Sequence, residues 1–506
     1  MDFSGAITPA LLLLCLSCLV LYLNGKSGGR KSGKMPPGPA PLPFVGNLFQ
    51  LDPKEMHRSL EKLSESYGPI YTIHLGSLPY VVLCGYQAVK EALVDQADDF
   101  SGRGDFPVFY RFTRGNGIAF SNGEKWKVLR RFALQTLKNF GMGTSSIEGR
   151  IQEEAQFLVQ EFKKTGGAPF DPINPVCRAV SNVICAVVFG QRYEYQDANF
   201  LTLLDHLNEN FKIMSSIWGE LYNIFPSLMD LLPGPHHQIF RNFEKLRQFI
   251  AEHIRCHQKD LDPDAPRDFI DCFLIRMEQE KQDPLSYFHT ETLVMTTHNL
   301  FFGGTETTST TLRYSFLILM KHPEVAARVH QEIDHVIGPG RPPCLADRKH
   351  MPYTEAVLCE IQRYISILPM GLPRAVTRDT PFRGFLLPKG TNVIPLLSSV
   401  HYDPAQFKDP TAFNPDNFLD ENGAFKSSDA FMPFAPGKRI CLGAGLARME
   451  IFLFLTTILQ HFSLHPTVHP CGDRPDAPMH RPGQCSPPLR IQAPPSLAGG
   501  GTHTHR

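Results

Sequence analysis

The chain has 506 residues, of which 42% are hydrophobic and 20% charged, a balance that allows a large buried core and excludes an intrinsically disordered polymer. Its 50 Lys and Arg offset 50 Asp and Glu, so there is no nucleic-acid footprint and any charge complementarity is local. The 12 cysteines are too scattered for a small disulfide-framed secreted scaffold and read as reduced thiols of a cytosol-facing protein.

Length alone would suggest about three domains. No Gly/Ser linker or charge block divides the chain, so one large unit over 35–495 is expected, between an N-terminal segment, 1–34, and a tail, 496–506. Ala6 to Leu23 is an uncharged apolar run of 18 residues, close to the ~20 that span a bilayer. Lys26, Arg30, Lys31 and Lys34 follow it and only Asp2 precedes it among charged side chains, which leaves the bulk of the chain on the cytoplasmic side. A cleaved signal peptide fits less well, because a positive n-region and a small-residue cleavage site are missing. Met35 to Pro43 is a stiff proline segment that cannot continue a helix.

Ile70 to Leu75 and Tyr80 to Cys84 read as strands, and about Tyr86 to Asp95 as a helix. The stretch Phe100 to Phe120 reads as a loop rich in Gly and Phe, with Phe106, Phe109, Phe112 and Ile118. Such aromatics are either a satellite core or the wall of a binding site, and both readings stand at this point. Trp126 and Arg130 fall on one helix face at i, i+4. The same helix carries Lys125, Lys127, Arg131 and Lys138, a stripe that is either solvent-facing or a docking face, with Lys438 as a further member. Residues from about 145 to 280 alternate helical periodicity with Pro and Gly breaks; Glu244 and Arg247 there read as a solvated pair.

Asp283 to about Met320 reads as one long helix. Gly303 and Gly304 inside it cost about 1 kcal/mol each relative to alanine, a cost that suggests a use: close approach of a flat group, or a local widening of the helix. Helical spacing puts Asn299, Gly303 and Thr307 on one face with Glu306 beside them. A hydroxyl and a carboxylate there suit proton delivery, and plain helix packing is an equal alternative. A helix over Tyr353 to Ile367 carries Glu360 and Arg363, and the run TNVIPLL is strand-like.

The stretch Phe431 to Arg448 sets Cys441 between a glycine-rich loop and a helix expected over Leu446 to Leu459. A helix N-terminus, with Arg439 nearby, favours a thiolate, a soft donor that binds iron well. Most isolated cysteines are structural, but F-x-x-G-x-R-x-C-x-G is met in full by Phe434, Gly437, Arg439, Cys441 and Gly443. A dinucleotide loop is rejected: no strand precedes Gly443, and Arg448 occupies the third glycine position.

On these motifs, with [AG]-G-x-[DE]-T met by Gly303, Gly304, Glu306 and Thr307, the chain after Pro36 resembles the cytochrome P450 family of haem-thiolate monooxygenases. It looks closest to the vertebrate microsomal family 2 and its F subfamily. The resemblance implies a mainly α fold with small β-sheets (α+β), with haem b between the long helix and the cysteine-loop helix, behind an N-terminal transmembrane helix. It implies Cys441 as the iron ligand, Thr307 and Glu306 as proton handlers, and Arg114, Trp126, Arg130, Arg374 and Arg439 around the haem propionates, with Phe434 and Gly443 completing the cysteine loop. Phe106, Phe109, Ile118, Asn299, Phe302, Gly303, Ile367, Leu368 and Met370 would line the substrate pocket. Glu360 and Arg363 would form a buried structural pair, and Asn417 stands where many members carry a basic third partner.

The implied activity is insertion of one oxygen atom of O2 into a small lipophilic substrate, a xenobiotic, fatty acid or steroid. Electrons would come from NADPH through a separate flavoprotein reductase, optionally with cytochrome b5, at the endoplasmic reticulum membrane. Two other readings stay open: a haem-thiolate isomerase or dehydratase needing no reductase, and a non-enzymatic haem sensor. The first commonly lacks the acid and threonine pair that is present here.

Overall fold

The computed structural model describes residues 35–141, 145–466 and 489–492 and divides into two units, 1–105 with 370–396 and 106–369 with 397–506. The apolar run Ala6 to Leu23 and the tail from 496 lie outside the described residues. No helix among the described residues is long and apolar enough to cross a membrane.

The first unit holds strands β1 (Ile70–Leu75), β2 (Leu78–Cys84), β3 (Gly102–Arg103), β4 (Arg374–Ala375), β5 (Thr380–Phe382), β6 (Phe385–Leu387) and β7 (Asn392–Leu396). β-Branched and aromatic residues run through β1 (Ile70, Tyr71, Thr72, Ile73) and β2 (Tyr80, Val81, Val82), as suits a pleated, half-buried surface. Those two strands form an antiparallel hairpin. Next, β2 pairs in parallel with β7, giving the order β1-β2-β7-β4-β3. Arg383 and Gly384, both at positive φ (46° and 81°), make the two-residue turn of the β5–β6 ribbon. Leu60 of the helix Met56–Tyr67 packs with Tyr71, Ile73, Tyr80, Val82, Ile394 and Leu396 in this unit's core. The helix expected over Tyr86 to Asp95 is α only to Lys90 and widens into a π-helix at Glu91–Asp95.

The second unit is built around the helix Thr290–Lys321. Most of its residues are buried on every side, as befits a helix inside a large core. It packs against the helix Ile173–Val188 and the cysteine helix Ala444–His461, which is buried on every side from Met449 to Leu459. The expected start at Asp283 is wrong: Pro284 keeps its predecessor out of helical geometry, and His289 caps the helix, its Nδ1 accepting from the Thr292 N–H (3.4 Å). Of the uses that Gly303 and Gly304 permit, a local widening is not taken up: the helix is continuous α throughout. The stretch 100–120, expected as loop, contains a helix at Pro107–Thr113 whose proline sits in the first turn, where its missing N–H does no harm. A final ribbon pairs β8 (Ser463–Pro466) with β9 (Leu489–Gln492). The eight described cysteines are free thiols.

The helix Pro352–Ile365 carries Glu360 and Arg363, both with fully buried side chains. Arg363 uses all five of its donors: two to Glu360 (2.7 and 2.6 Å), and the rest to the carbonyls of His401 (2.8 Å), Pro410 (2.7 Å) and Ala412 (3.0 Å). The Asn414 N–H adds a third bond to Glu360 (2.8 Å). Asn417 does not complete the set. Its Oδ1 accepts from Lys408 N–H (2.8 Å), and its Nδ2 lies near enough to Glu360 to lower its pKa without a hydrogen bond of ordinary geometry.

Candidate functional site

The cysteine loop turns on two left-handed residues, Ala435 (φ 54°) and Gly437 (φ 80°). Gly437 tolerates this without a Cβ penalty. The Cys441 N–H donates to the Phe434 carbonyl (2.9 Å), which closes the loop. The cysteine helix begins at Ala444 with Gly443 as its cap, two residues before the expected start at Leu446, and Cys441 stands just ahead of its N-terminus. The residue is exposed overall, yet the surrounding protein desolvates its sulfur. That burial pushes the thiol pKa up, while the Gly443 N–H and the Arg130 charge pull it down.

The cation acting on the sulfur is therefore Arg130, whose Nη2 donates to the Ile440 carbonyl (2.5 Å). Arg439, expected in that role, turns elsewhere. Its Nη2 donates to the Ser121 carbonyl (2.7 Å) and Asn122 Oδ1 (3.2 Å), and its guanidinium lies 3.7 Å from the centre of the Trp126 ring, a cation–π contact. Arg448 covers the Phe434 ring (5.1 Å).

Trp126 and Arg130 share a face of the helix Gly123–Asn139, as their spacing predicts. Trp126 is 5% exposed, and its indole N–H meets no acceptor among the described residues. Lys127, Arg131 and Lys138 of this helix and Lys438 of the cysteine loop are exposed; Lys127 pairs with Glu124.

On the long helix, Gly303 is exposed and Thr307 half-exposed, although the turns around them are buried. A Cβ added at Gly303 would touch nothing within 4 Å, so this face borders a void. Gly304 differs: a Cβ there would stand 3.0 Å from Ile184, so its hydrogen serves close packing of two helices. The Thr307 hydroxyl donates to the Gly303 carbonyl (2.8 Å). Glu306 is half-buried, and desolvation raises its carboxyl to about 7 against the opposing pull of Arg313. It also helps burial to push the Cys177 thiol up to about 12, which places its charge beside the helix Ile173–Val188.

Asn299 Oδ1 accepts two successive backbone donors, Ile118 N–H (3.0 Å) and Ala119 N–H (3.1 Å). A Cβ at Gly117 would come within 2.4 Å of that oxygen. The rings of Phe106, Phe109 and Phe120 stack (4.4 to 5.7 Å), and Phe109 meets Phe302 edge-on at 6.1 Å. Ile367 packs on the main core, and Leu368 is 38% exposed. Arg114 is exposed at the left-handed end of Pro107–Thr113. Met370 and Arg374 belong to the first unit, where Met370 packs on its core and Arg374 is buried in β4.

Two features escaped the sequence. Glu450, a buried acid on the cysteine helix, accepts a hydrogen bond from the Thr308 hydroxyl and so ties that helix to the long one; burial holds its carboxyl well above the usual range. An acid amid the apolar run after Arg448 was the available signal. His257, Asp268 and Asp271 cluster closely enough to suggest a metal. Their ligand atoms are already engaged, however: Arg267 forks onto Asp271 (2.7 and 3.0 Å), and His257 bonds Asp268 (2.6 Å).

Comparison with known proteins agrees with this geometry. The Cytochrome P450 family model matches residues 36–492. The chain is 59% identical over 464 residues to Cytochrome P450 2F2 of Rattus norvegicus, covering 92% of this chain and 94% of that protein. It is 61% identical over 456 residues to Cytochrome P450 2F1 of Homo sapiens, with 90% and 92% covered, and 55% identical over 453 residues to Cytochrome P450 2C8 of Homo sapiens, with the same coverage. The chain belongs to the cytochrome P450 family, within its vertebrate microsomal family 2, and closely matches several enzymes of the 2F subfamily.

Proposed function

We propose that Cys441 supplies the thiolate ligand of haem b and that the open face of the long helix, Asn299 to Thr307, borders the chamber where substrate is oxidised. By family the protein is a haem-thiolate monooxygenase that acts on lipophilic substrates with electrons derived from NADPH, and haem b is its cofactor. The bound haem supplies the dioxygen and one-electron chemistry that amino-acid side chains lack.

The residues fit that group. The observation that carries the assignment is the Trp126 indole N–H, buried and without an acceptor among the described residues. Leaving such a donor unmade costs about 1–3 kcal/mol, and a haem propionate is an acceptor of the right charge. Arg130 and Arg439 lie beside it as cations, and Gly303 leaves room where a side chain would intrude. Arg114, exposed and close along the chain, is a further propionate partner by resemblance.

Within the chamber, the Thr307 hydroxyl donates its one proton to the Gly303 carbonyl, so its oxygen keeps lone pairs to accept a hydrogen bond, and it becomes a donor toward the void when the O–H rotates away from that carbonyl. Glu306, with a pKa near 7, both holds and releases a proton around neutral pH, as a general acid–base group should. Phe106, Phe109, Phe302, Ile118, Ile367 and Leu368 give the chamber an apolar wall that excludes water and suits xenobiotics, fatty acids or steroids. The exposed Lys127, Arg131, Lys138 and Lys438 suit an acidic electron-donor flavoprotein, and the run Ala6 to Leu23 would anchor the enzyme in the endoplasmic reticulum membrane.

The test is Cys441→Ser, prepared with haem. It should lose the thiolate signature of the reduced carbon monoxide complex and all NADPH-dependent product formation with a reductase. Unchanged spectrum and turnover would refute the assignment.

A further inference from the structure

His298 stands one helical turn before Phe302 on the long helix, on the same face. It is 1% exposed and sits in a cage of three rings: Phe112 (centroids 4.9 Å, edge-on), Phe243 (5.3 Å, edge-on) and Phe302 (5.8 Å, nearly parallel at 14°). Neither ring nitrogen has a hydrogen-bond partner among the described residues. A neutral imidazole carries one donor and one acceptor, and leaving both unmade in an apolar cage is costly. Phenylalanine or leucine would fill the same space without that cost, so packing does not account for a histidine here.

Of the three caging rings, Phe302 is the one that also belongs to the apolar wall assigned above to the chamber, through its contact with Phe109. Phe302 is half-buried, adjoins Gly303 in the chain, and otherwise meets Phe109 and Phe211 at 6.1 Å each. Resting on the chamber assigned above, we propose that His298 is a specificity-determining anchor: a flat aromatic ligand bearing a hydroxyl displaces the Phe302 ring and hydrogen-bonds to the imidazole. The ligand's rings take over the contacts of Phe302, and its hydroxyl satisfies a nitrogen that is otherwise bare. The recognised group is neutral rather than a carboxylate, because burial drives the imidazole pKa down to about 3 and keeps the ring uncharged. An ionised ligand would also have to be desolvated against three phenyl faces without a counter-charge.

The test is spectral titration of the haem-loaded enzyme with biphenyl and para-hydroxybiphenyl, in wild type, His298→Phe, His298→Gln and Phe302→Ala. The readout is the ratio of the two dissociation constants. His298→Phe should shift that ratio about fivefold against the hydroxylated ligand; His298→Gln, which keeps a donor and an acceptor, should preserve most of the preference. Phe302→Ala uncovers the imidazole and should increase it. A ratio unchanged by both His298→Phe and Phe302→Ala overturns the proposal. Failure of the chamber assignment looks different: neither ligand would perturb the haem spectrum, in wild type as in the variants, although the reduced carbon monoxide complex still showed bound thiolate.

Discussion

The helix Pro352–Ile365 holds Glu360 and Arg363 together out of water, whereas the helix His236–Lys259 presents the identically spaced Glu244 and Arg247 without joining them. Arg247 turns to Glu291 on the long helix, and Glu244 accepts from Gln248 (3.3 Å). What differs is the supply of acceptors. The carbonyls of His401, Pro410 and Ala412 arrive from chain 38 to 49 residues away and complete the guanidinium of Arg363, while Arg247 keeps a 29% exposed side chain and the help of water. A charge pair is buried where distant backbone can finish its hydrogen bonds; the i, i+3 spacing only makes the pairing available.

The sharpest way to break this contrast is to remove one arginine from each pair. Arg363→Ala leaves Glu360 buried with one backbone donor and should cost about 3–5 kcal/mol, read as a collapse in the urea midpoint and in the yield of haem-loaded protein. A comparable loss in Arg247→Ala would erase the distinction.

Acid is the next lever. His401 Nε2 accepts from the Met432 N–H (3.2 Å), which leaves Nδ1–H to donate to Ser366 Oγ (3.1 Å). Burial, aided by the Arg363 charge, lowers this histidine to about 3. Its folded pKa lies below the unfolded 6.5, so the unfolded chain takes up the proton first. The contribution is therefore fully present above about pH 6.5 and is lost as the pH falls toward 3, at up to about 1.4 kcal/mol per pH unit. His401→Gln should flatten the acid side of the stability profile, and a slope identical to wild type would contradict the buried, neutral assignment.

A smaller effect is expected at the incomplete corner of the network. Asn417→His places a basic group beside Glu360 and should raise the unfolding free energy by about 1 kcal/mol, seen as a higher thermal midpoint; a fall would mean that the Lys408 N–H bond to Asn417 matters more. Smallest of all, Arg247→Ala and Glu244→Ala should each stay within about 0.5 kcal/mol of wild type.

Local motifs were legible where the chemistry is contained in neighbouring residues. The turn before Cys441, the Trp126 and Arg130 face, and the run Asn299, Gly303, Thr307 all appear where their spacing puts them. Errors arose where direction or distance decides. Arg439 is closer to Cys441 in the chain than Arg130, but it points at Trp126, and no spacing rule reports that. The aromatic stretch around Phe109 hid a helix because Phe is a poor helix former and the flanking glycines read as loop. Gly303 and Gly304 looked alike, and only the presence of Ile184 separates their tasks. The bare nitrogens of His298 depend on residues 55 to 186 positions away, Phe243 and Phe112, beyond the reach of any periodicity.

The single amide oxygen of Asn299 that grips the backbone at both Ile118 and Ala119 acts as a two-point rivet. A sliding movement of that wall along the long helix would have to break both bonds at once, so a bulkier guest is accommodated by swinging phenyl rings rather than by shifting the main chain. Slow amide exchange at 118 and 119, with or without ligand, is the mark such a fixed wall should leave.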